Sequence, residues 1–494
     1  MTKSTAKRPN IIIFMPDEMR ADSLGCYGNV VSKTPNFDRL AREGTLFANC
    51  HVQFPVCGAS RCSMMTGWPA SVRGHRSLYY FLRPNEPNLF RYLKNDGYDV
   101  YWFGKNDLLS GQCVYDSVTR WTDKSANFSE YTQVTTPDVN ANTFLCHPTG
   151  DRRDTWDYGL VQSAIDVLAR KETDAPFCLF IPMLHPHPPY TAPNDFYDLH
   201  SPDDLPGLIP PGLPGRPEFH AALRSTYGLD RVSDATFRKI RAVYYGQVAY
   251  SDWLLGELLE AMESTGRDKD TALFVVSDHG DYAGDYGLVE KWPSGLEDAL
   301  THVPLIARIP GGRAGHRVNV MVEAYDLMAT CLDLAGVTAR HTHFARSLMP
   351  QIQGGAGDPD RAAFAEGGYN VYEPQCFEPL IPDSALYGRK ADLQNSRPET
   401  VTRAAMIRTQ TAKLILRPQG QSELYDLLAD PREENNLYGA STMTQTQQAL
   451  QLRLLDWYVN TTGVAPLDKD QRGPPPFYSS AAFPPADMAS ILDR

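Results

Sequence analysis

The sequence predicts an α/β protein: a doubly wound, mostly parallel central sheet flanked by helices, followed by a small C-terminal α+β domain containing an antiparallel sheet. Three observations carry the prediction. Ile11–Met15, Tyr98–Phe103, Phe177–Leu184 and Leu273–Ser277 are short, largely apolar runs of the kind that form strands buried on both faces. Helical patterns separate them, which gives the strand–loop–helix order of a doubly wound sheet. Each run also leads into a polar cluster, and open α/β sheets bind their ligands at that end of the strands.

In chain order, the first strand leads into Asp17 and Glu18. Thr34-Pro35 then supplies an N-cap and a first-turn proline; Phe37, Leu40 and Ala41 keep one helical face, and Gly44 ends it. A helix beginning over Ala59–Met65 places Cys57 at its mouth. Another runs through Leu89, Phe90 and Leu93 to Gly97, and the strand after it ends in Gly104-Lys105-Asn106-Asp107. Residues 110–150 are polar and irregular, as in a surface insertion. A helix from about Trp156 to Arg170 precedes the strand that runs into His185-Pro186-His187-Pro188-Pro189-Tyr190. The Pro/Gly-rich stretch 201–217 reads as an extended loop able to line a pocket. An amphipathic helix through Phe237, Ile240, Tyr244, Val248, Leu255 and Leu259 then brings the chain to Leu273–Ser277 and Asp278-His279-Gly280-Asp281.

From about residue 376 the pattern changes. Ala404–Ile407 and Lys413–Leu416 read as a hairpin, and a last helix holds Leu450, Leu454 and Trp457. The expected organisation is a catalytic α/β domain over 8–375, a small α+β domain over 376–469, and a proline-rich arm over 470–494 that lies across the body or a neighbouring subunit.

Composition narrows the function. Lys and Arg number 47 against 59 Asp and Glu, a net charge of −12, which argues against a nucleic-acid partner while leaving room for a local basic pocket. Nine cysteines, an odd number without a CxxC pair, suggest a reducing compartment and no disulfide framework. The apolar run after the N-terminus is too short for a signal-peptide core and nothing later reaches transmembrane length, so a cytoplasmic location and no membrane partner are expected. The proline-rich tail favours a homo-oligomer.

Two groups of residues carry chemistry on their own terms. Cys57 at a helix mouth meets free N–H groups and a dipole that favour negative charge, and Arg61, one turn further on, can lean back towards the same spot; the alternative is a buried, inert thiol. Asp17, Glu18, Asp278 and His279 emerge from two strand ends, and carboxylates gathered in this way repel one another unless a cation joins them. An oxygen-rich donor set favours Ca²⁺, Mg²⁺ or Mn²⁺, and His279 moves the balance towards Mn²⁺ or Zn²⁺. Asp278 as a turn cap and His279 as a core residue is the competing explanation.

These residues also carry a resemblance. Cys57-Gly-Ala-Ser-Arg61, followed by Thr66-Gly67, resembles the sulfatase signature Cys-x-(Pro/Ala)-x-Arg. Asp17-Glu18-Met19-Arg20 with Leu24-Gly25-Cys26-Tyr27-Gly28, Thr34-Pro35-Asn36-Phe37-Asp38-Arg39-Leu40-Ala41, Val276-Ser277-Asp278-His279-Gly280-Asp281 with Gly284-Asp285-Tyr286-Gly287, and Glu423-Leu424-Tyr425-Asp426-Leu427 are similar to further marks of that family, in family order. The resemblance implies an alkaline-phosphatase-like fold and sulfate ester hydrolysis of the arylsulfatase type. It implies that Cys57 is oxidised by a formylglycine-generating maturation enzyme, that the aldehyde hydrate attacks sulfur to form a covalent sulfo-enzyme intermediate, and that Cys57 joins Asp17, Glu18, Asp278 and His279 around one divalent metal ion. Lys105, His187 and Lys291 match substrate-binding positions, with Lys291 or His187 protonating the leaving alcohol.

Three departures stand out. Glu18 replaces an Asp, Asp107 stands where the family has a His that acts on the formylglycine hydroxyl, and Tyr286 fills a His position. Asp107 is accordingly the candidate base for product release. Some phosphonate monoester hydrolases of the superfamily lack the same His, so phosphonate or phosphodiester hydrolysis is the alternative, and a non-catalytic binding protein on the same scaffold is a third reading. Tyr79, Tyr80 and Phe81 form either an aromatic substrate wall or a core cluster.

Overall fold

The computed structural model describes residues 8–122, 141–170, 175–382 and 385–467. The expected arm over 470–494 and part of the expected insertion over 110–150 lie outside them. The central sheet comprises β1 (Asn10–Met15), β2 (Thr45–His51), β3 (Asp99–Phe103), β4 (Arg120–Thr122), β5 (Phe177–Pro182), β6 (Thr271–Val276), β7 (His302–Arg308) and β8 (His316–Glu323). Its order is β4-β3-β5-β1-β6-β7-β2-β8, parallel throughout except at β7, which runs against both β6 and β2.

β1 lies between β5 and β6 and is buried at every residue, because both sheet faces are covered. Its alternation divides the core. Ile12 and Phe14 join Leu179, Ile181, Leu273 and Val275 beneath the long helix Asp234–Ser264. Ile11, Ile13 and Met15 join Phe180, Phe274 and Val276 on the other face, against Phe90 and Leu93 of the helix Leu89–Asn95 and Met328 and Cys331 of the helix Asp326–Ala335.

The helix Pro35–Glu43 forms where the sequence predicts, but its N-terminus is capped differently. Thr34 makes no side-chain cap; its hydroxyl accepts the N–H of Gly25. Asp252, on the long helix, caps in its place, accepting the N–H groups of Asn36 (2.9 Å) and Phe37 (2.8 Å). A cap supplied from another element leaves no local signal in the sequence.

A second sheet, in the order β12-β11-β10-β9, is antiparallel throughout and consists of β9 (Ala363–Gly367), β10 (Ala404–Arg408), β11 (Ala412–Leu416) and β12 (Glu423–Asp426). Its edge strand β9 precedes residue 376. The helix Thr444–Thr461 covers it with Leu450 and Leu454, and Trp457 stacks on Phe364 at 5.0 Å. All nine cysteines are free, and no helix among the described residues is long and apolar enough to cross a membrane.

Replacing Asp252 by Ala strands one buried and one part-buried N–H group at the start of the helix Pro35–Glu43. We expect a loss of about 1–3 kcal/mol, read as a lower urea midpoint; an unchanged midpoint would remove Asp252 as the cap.

Candidate active site

The adjacency of β1 and β6 brings Asp17-Glu18 against Asp278-His279, and all four side chains are fully buried. Glu18 adopts a left-handed backbone (φ 66°), which non-glycine residues rarely do. Its N–H donates to Asp278 Oδ1 (3.2 Å) and its carbonyl accepts from the Tyr244 hydroxyl (2.8 Å), so two elements hold the turn.

Cys57 opens the helix Cys57–Thr66 after an extended Val56 that provides no side-chain cap, leaving the first-turn N–H groups beside the thiol. Its sulfur lies 3.1 Å from His279 Nε2, 3.6 Å from Asp17 Oδ1 and 3.7 Å from Lys105 Nζ. A Cβ at Gly58 would meet Phe81 at 3.0 Å and the Ser77 carbonyl at 3.2 Å, so glycine there lets the Ser77–Phe81 segment close over the helix mouth. Phe81 therefore packs against Gly58, the residue after Cys57, whereas Tyr79 is half-exposed.

Lys105 Nζ bridges Asp17 Oδ2 (2.7 Å) and Asp107 Oδ2 (3.0 Å). Arg61 acts on the carboxylates: Nε donates to Asp278 Oδ2 (2.8 Å), and Nη2 pairs with Asp17 Oδ2 at 3.1 Å. On the opposite flank, Lys291 is ion-paired with Glu18, lies 2.9 Å from Glu290 Oε1 and is 3.2 Å from His187 Nε2. His187 Nδ1 sits 2.5 Å from the Pro188 carbonyl, which assigns its proton to Nδ1 and leaves Nε2 to accept from Lys291.

Charge divides the site into two halves. Burial opposes ionisation of Asp17, but Lys105 and Arg61 outweigh it and hold the carboxyl well below its usual range. For Glu18 burial dominates; Lys291 offsets only part of it, and Asp281 and Glu290 add repulsion, so its proton is held well above the ordinary range. Burial, then Lys291 and Lys105, keep His187 neutral. His279 is lowered chiefly by burial. Burial, followed by the Asp17 carboxylate, raises the Cys57 thiol well above its normal value, so the unmodified sulfur is a poor nucleophile.

The donor set fits a cation. Asp17, Glu18, Cys57 and His279 offer ligand atoms all within 4.8 Å of one another. Glu18 Oε2 is buried without a hydrogen-bond partner, and His279 Nδ1, 2.9 Å from the Gly280 carbonyl, leaves the Nε2 lone pair free for the cluster. Asp278 braces this group: Oδ2 takes Arg61, and Oδ1 takes the N–H groups of Glu18 and His279. Sequence reasoning passed over Glu290, Lys390 and Tyr387. Glu290 adjoins Lys291 in the chain, but Lys390 and Tyr387 arrive from a distant segment with no pattern to mark them.

The doubly wound sheet carries this polar cluster at its carboxyl edge, the place where α/β proteins of this class bind their ligands. The chain belongs to the sulfatase family, whose sequence model matches residues 9–337. It is 25% identical over 389 residues to an arylsulfatase of Clostridium perfringens, covering 70% of this chain and 79% of the relative. It is 27% identical over 471 residues to arylsulfatase K of Gallus gallus, covering 90% and 81%. Among solved structures, a phosphonate monoester hydrolase of Agrobacterium radiobacter shares the fold with a TM-score of 0.73 at 23% identity, over 92% of this chain and 96% of that one.

Replacing Arg61 by Met removes a buried cation from two buried carboxylates. The melting temperature should fall, by about 3–5 kcal/mol of stability, and adding Asp278→Asn should recover part of it. A single variant as stable as the wild type would show that the clamp contributes little.

Proposed function

We propose that this enzyme hydrolyses sulfuric esters with a nucleophile made from Cys57 by oxidation to formylglycine, beside one divalent cation of the Ca²⁺, Mn²⁺ or Mg²⁺ kind. The observation that carries the reading is the placement of Cys57: a helix mouth within 3.1–3.7 Å of an imidazole, a carboxylate and an ammonium. The aldehyde hydrate and the cation would together supply the attacking oxygen and Lewis-acid stabilisation of the sulfuryl group. Asp17, Glu18, Cys57 and His279 would hold the cation, with Asp278 bracing them.

The remaining roles fall to the chain's own side chains. Lys105 and the helix N-terminus present positive charge to the non-bridging oxygens of the ester. Lys291 holds the proton destined for the leaving alcohol, because His187 Nε2 already accepts from it and His187 is neutral. Asp107, joined to the cluster through Lys105, is the candidate base for product release. Arg61 fixes the carboxylates rather than the nucleophile. The raised thiol supports the need for oxidation, since a thiolate is disfavoured at this buried position.

Three measurements test this. After co-production with a formylglycine-generating enzyme, mass spectrometry of the tryptic peptide ending at Arg61 should find an aldehyde in place of the Cys57 thiol; an unmodified thiol in fully active enzyme would end the proposal. Cys57→Ala should lower kcat/KM for an aryl sulfate by about 10⁴-fold or more. The same enzyme should turn over an aryl sulfate faster than the matched aryl phosphonate. The reverse order would move the assignment to phosphonate monoester hydrolysis.

A further inference from the structure

Lys390 lies in the helix Gly388–Ser396, beyond the 9–337 stretch that the family model matches. It is 3% exposed, although lysine is rarely buried without a partner. Its ammonium reaches both oxygens of Glu290, at 2.7 and 2.9 Å, and lies 3.6 Å from Glu378, which is held by Gln394. Glu290 in turn contacts Lys291 at 2.9 Å, and its N–H donates to the Tyr190 hydroxyl, which donates to Asp281. Just before Lys390, Tyr387 donates its hydroxyl to the Pro188 carbonyl at 3.1 Å, beside His187. A single segment thus holds the backbone next to one candidate site residue and the carboxylate next to another.

Glu18, His187 and Glu290 offer three potential ligand atoms within 4.8 Å of one another. The Lys291 ammonium contacts all three, so a side-chain cation occupies the place a second metal ion would take. Without Lys390, Lys291 would face the carboxyl groups of Glu18 and Glu290 alone, and its charge would be taken up by them. With Lys390 present, Glu290 is answered from its far side.

We propose that Lys390 is a positioning residue that neutralises Glu290, so that the charge of Lys291 remains available to an anionic sulfuryl group. This rests on the proposed sulfuric ester hydrolysis. Lys390 touches no substrate atom; it acts through Glu290. Repulsion between an unanswered buried carboxylate and an incoming anion is strong at these distances because little water screens it.

The test uses the full-length enzyme, with inorganic sulfate as a probe of the anion site by calorimetry and an aryl sulfate for kinetics. Lys390→Met should weaken sulfate binding and raise KM by roughly 10- to 100-fold. Glu290→Gln combined with Lys390→Met removes the unanswered charge and should return sulfate affinity to within about threefold of wild type, while Lys390→Arg should stay close to wild type. A role limited to stability would move the melting temperature without this recovery in the double variant. Lys390→Met binding sulfate as the wild type does, or a double variant binding no better than the single, overturns the proposal. If Lys390→Met does not fold, the double variant and Lys390→Arg decide it by the same affinity criterion. A wild type that binds sulfate in a Lys390-dependent way but cleaves no sulfuric ester would overturn the function above and leave Lys390 standing. A wild type that binds no sulfate overturns both.

Discussion

The structure depends on one electrostatic constraint: negative charge gathered and buried at the ends of β1 and β6 must be answered within the protein. Asp17, Glu18 and Asp278 are inaccessible to solvent, and an isolated carboxylate in such a place is untenable. Arg61 spans Asp17 and Asp278, Lys105 takes the remaining face of Asp17, and Lys291 takes Glu18. Each cation comes from a different element. The site is therefore assembled only when the whole α/β domain has formed, and it helps to lock the strands and loops that supply it.

The balance is deliberately uneven. Asp17 has two strong cations and remains an anion, whereas Glu18 shares Lys291 with Glu290 and is repelled by Asp281. That leaves Glu18 Oε2 buried without a hydrogen-bond partner, on a carboxyl that shares one cluster with Cys57 and His279. A deficit of positive charge confined to one corner of an otherwise neutralised cluster is what a divalent cation would fill. The same argument accounts for the left-handed backbone at Glu18: the turn costs of order 1–3 kcal/mol, and it is held by Asp278 and Tyr244 in a position from which a longer carboxylate reaches both the cluster and Lys291.

Much of this was legible in the sequence because the groups sit at strand ends. Apolar runs predicted β1, β3, β5 and β6, and these four carry Asp17, Lys105, His187 and Asp278 on the residues that follow them. β2, β4, β7 and β8 have no such run, and β4 (Arg120–Thr122) is three residues long inside the 110–150 stretch that reads as an insertion. Thr45–His51 contains Asn49, His302–Arg308 contains Pro304, and His316–Glu323 begins with alternating polar residues, so none reads as a continuous apolar strand; they form because the antiparallel β7 completes the sheet beyond β6. The cap of the helix Pro35–Glu43 failed for a related reason. Local chemistry pointed to Thr34, but a carboxylate from another helix satisfies the same N–H groups.

The site follows the same division between local and distant information. Cys57 and Arg61 stand one helical turn apart, and that spacing suggested that both faced the reacting group; the structure instead turns Arg61 towards the carboxylates, because two buried anions outcompete a neutral thiol for a guanidinium. Lys390 lies at the far extreme. It has no motif, and only the return of the chain to the main body after β9 brings it to Glu290. Strand-end residues define the chemistry a site can perform, and distant buried charges set the field in which it operates. The second set is invisible to motifs for a physical reason: its members need only be the right sign at the right distance, and any element that folds back across the site can supply them.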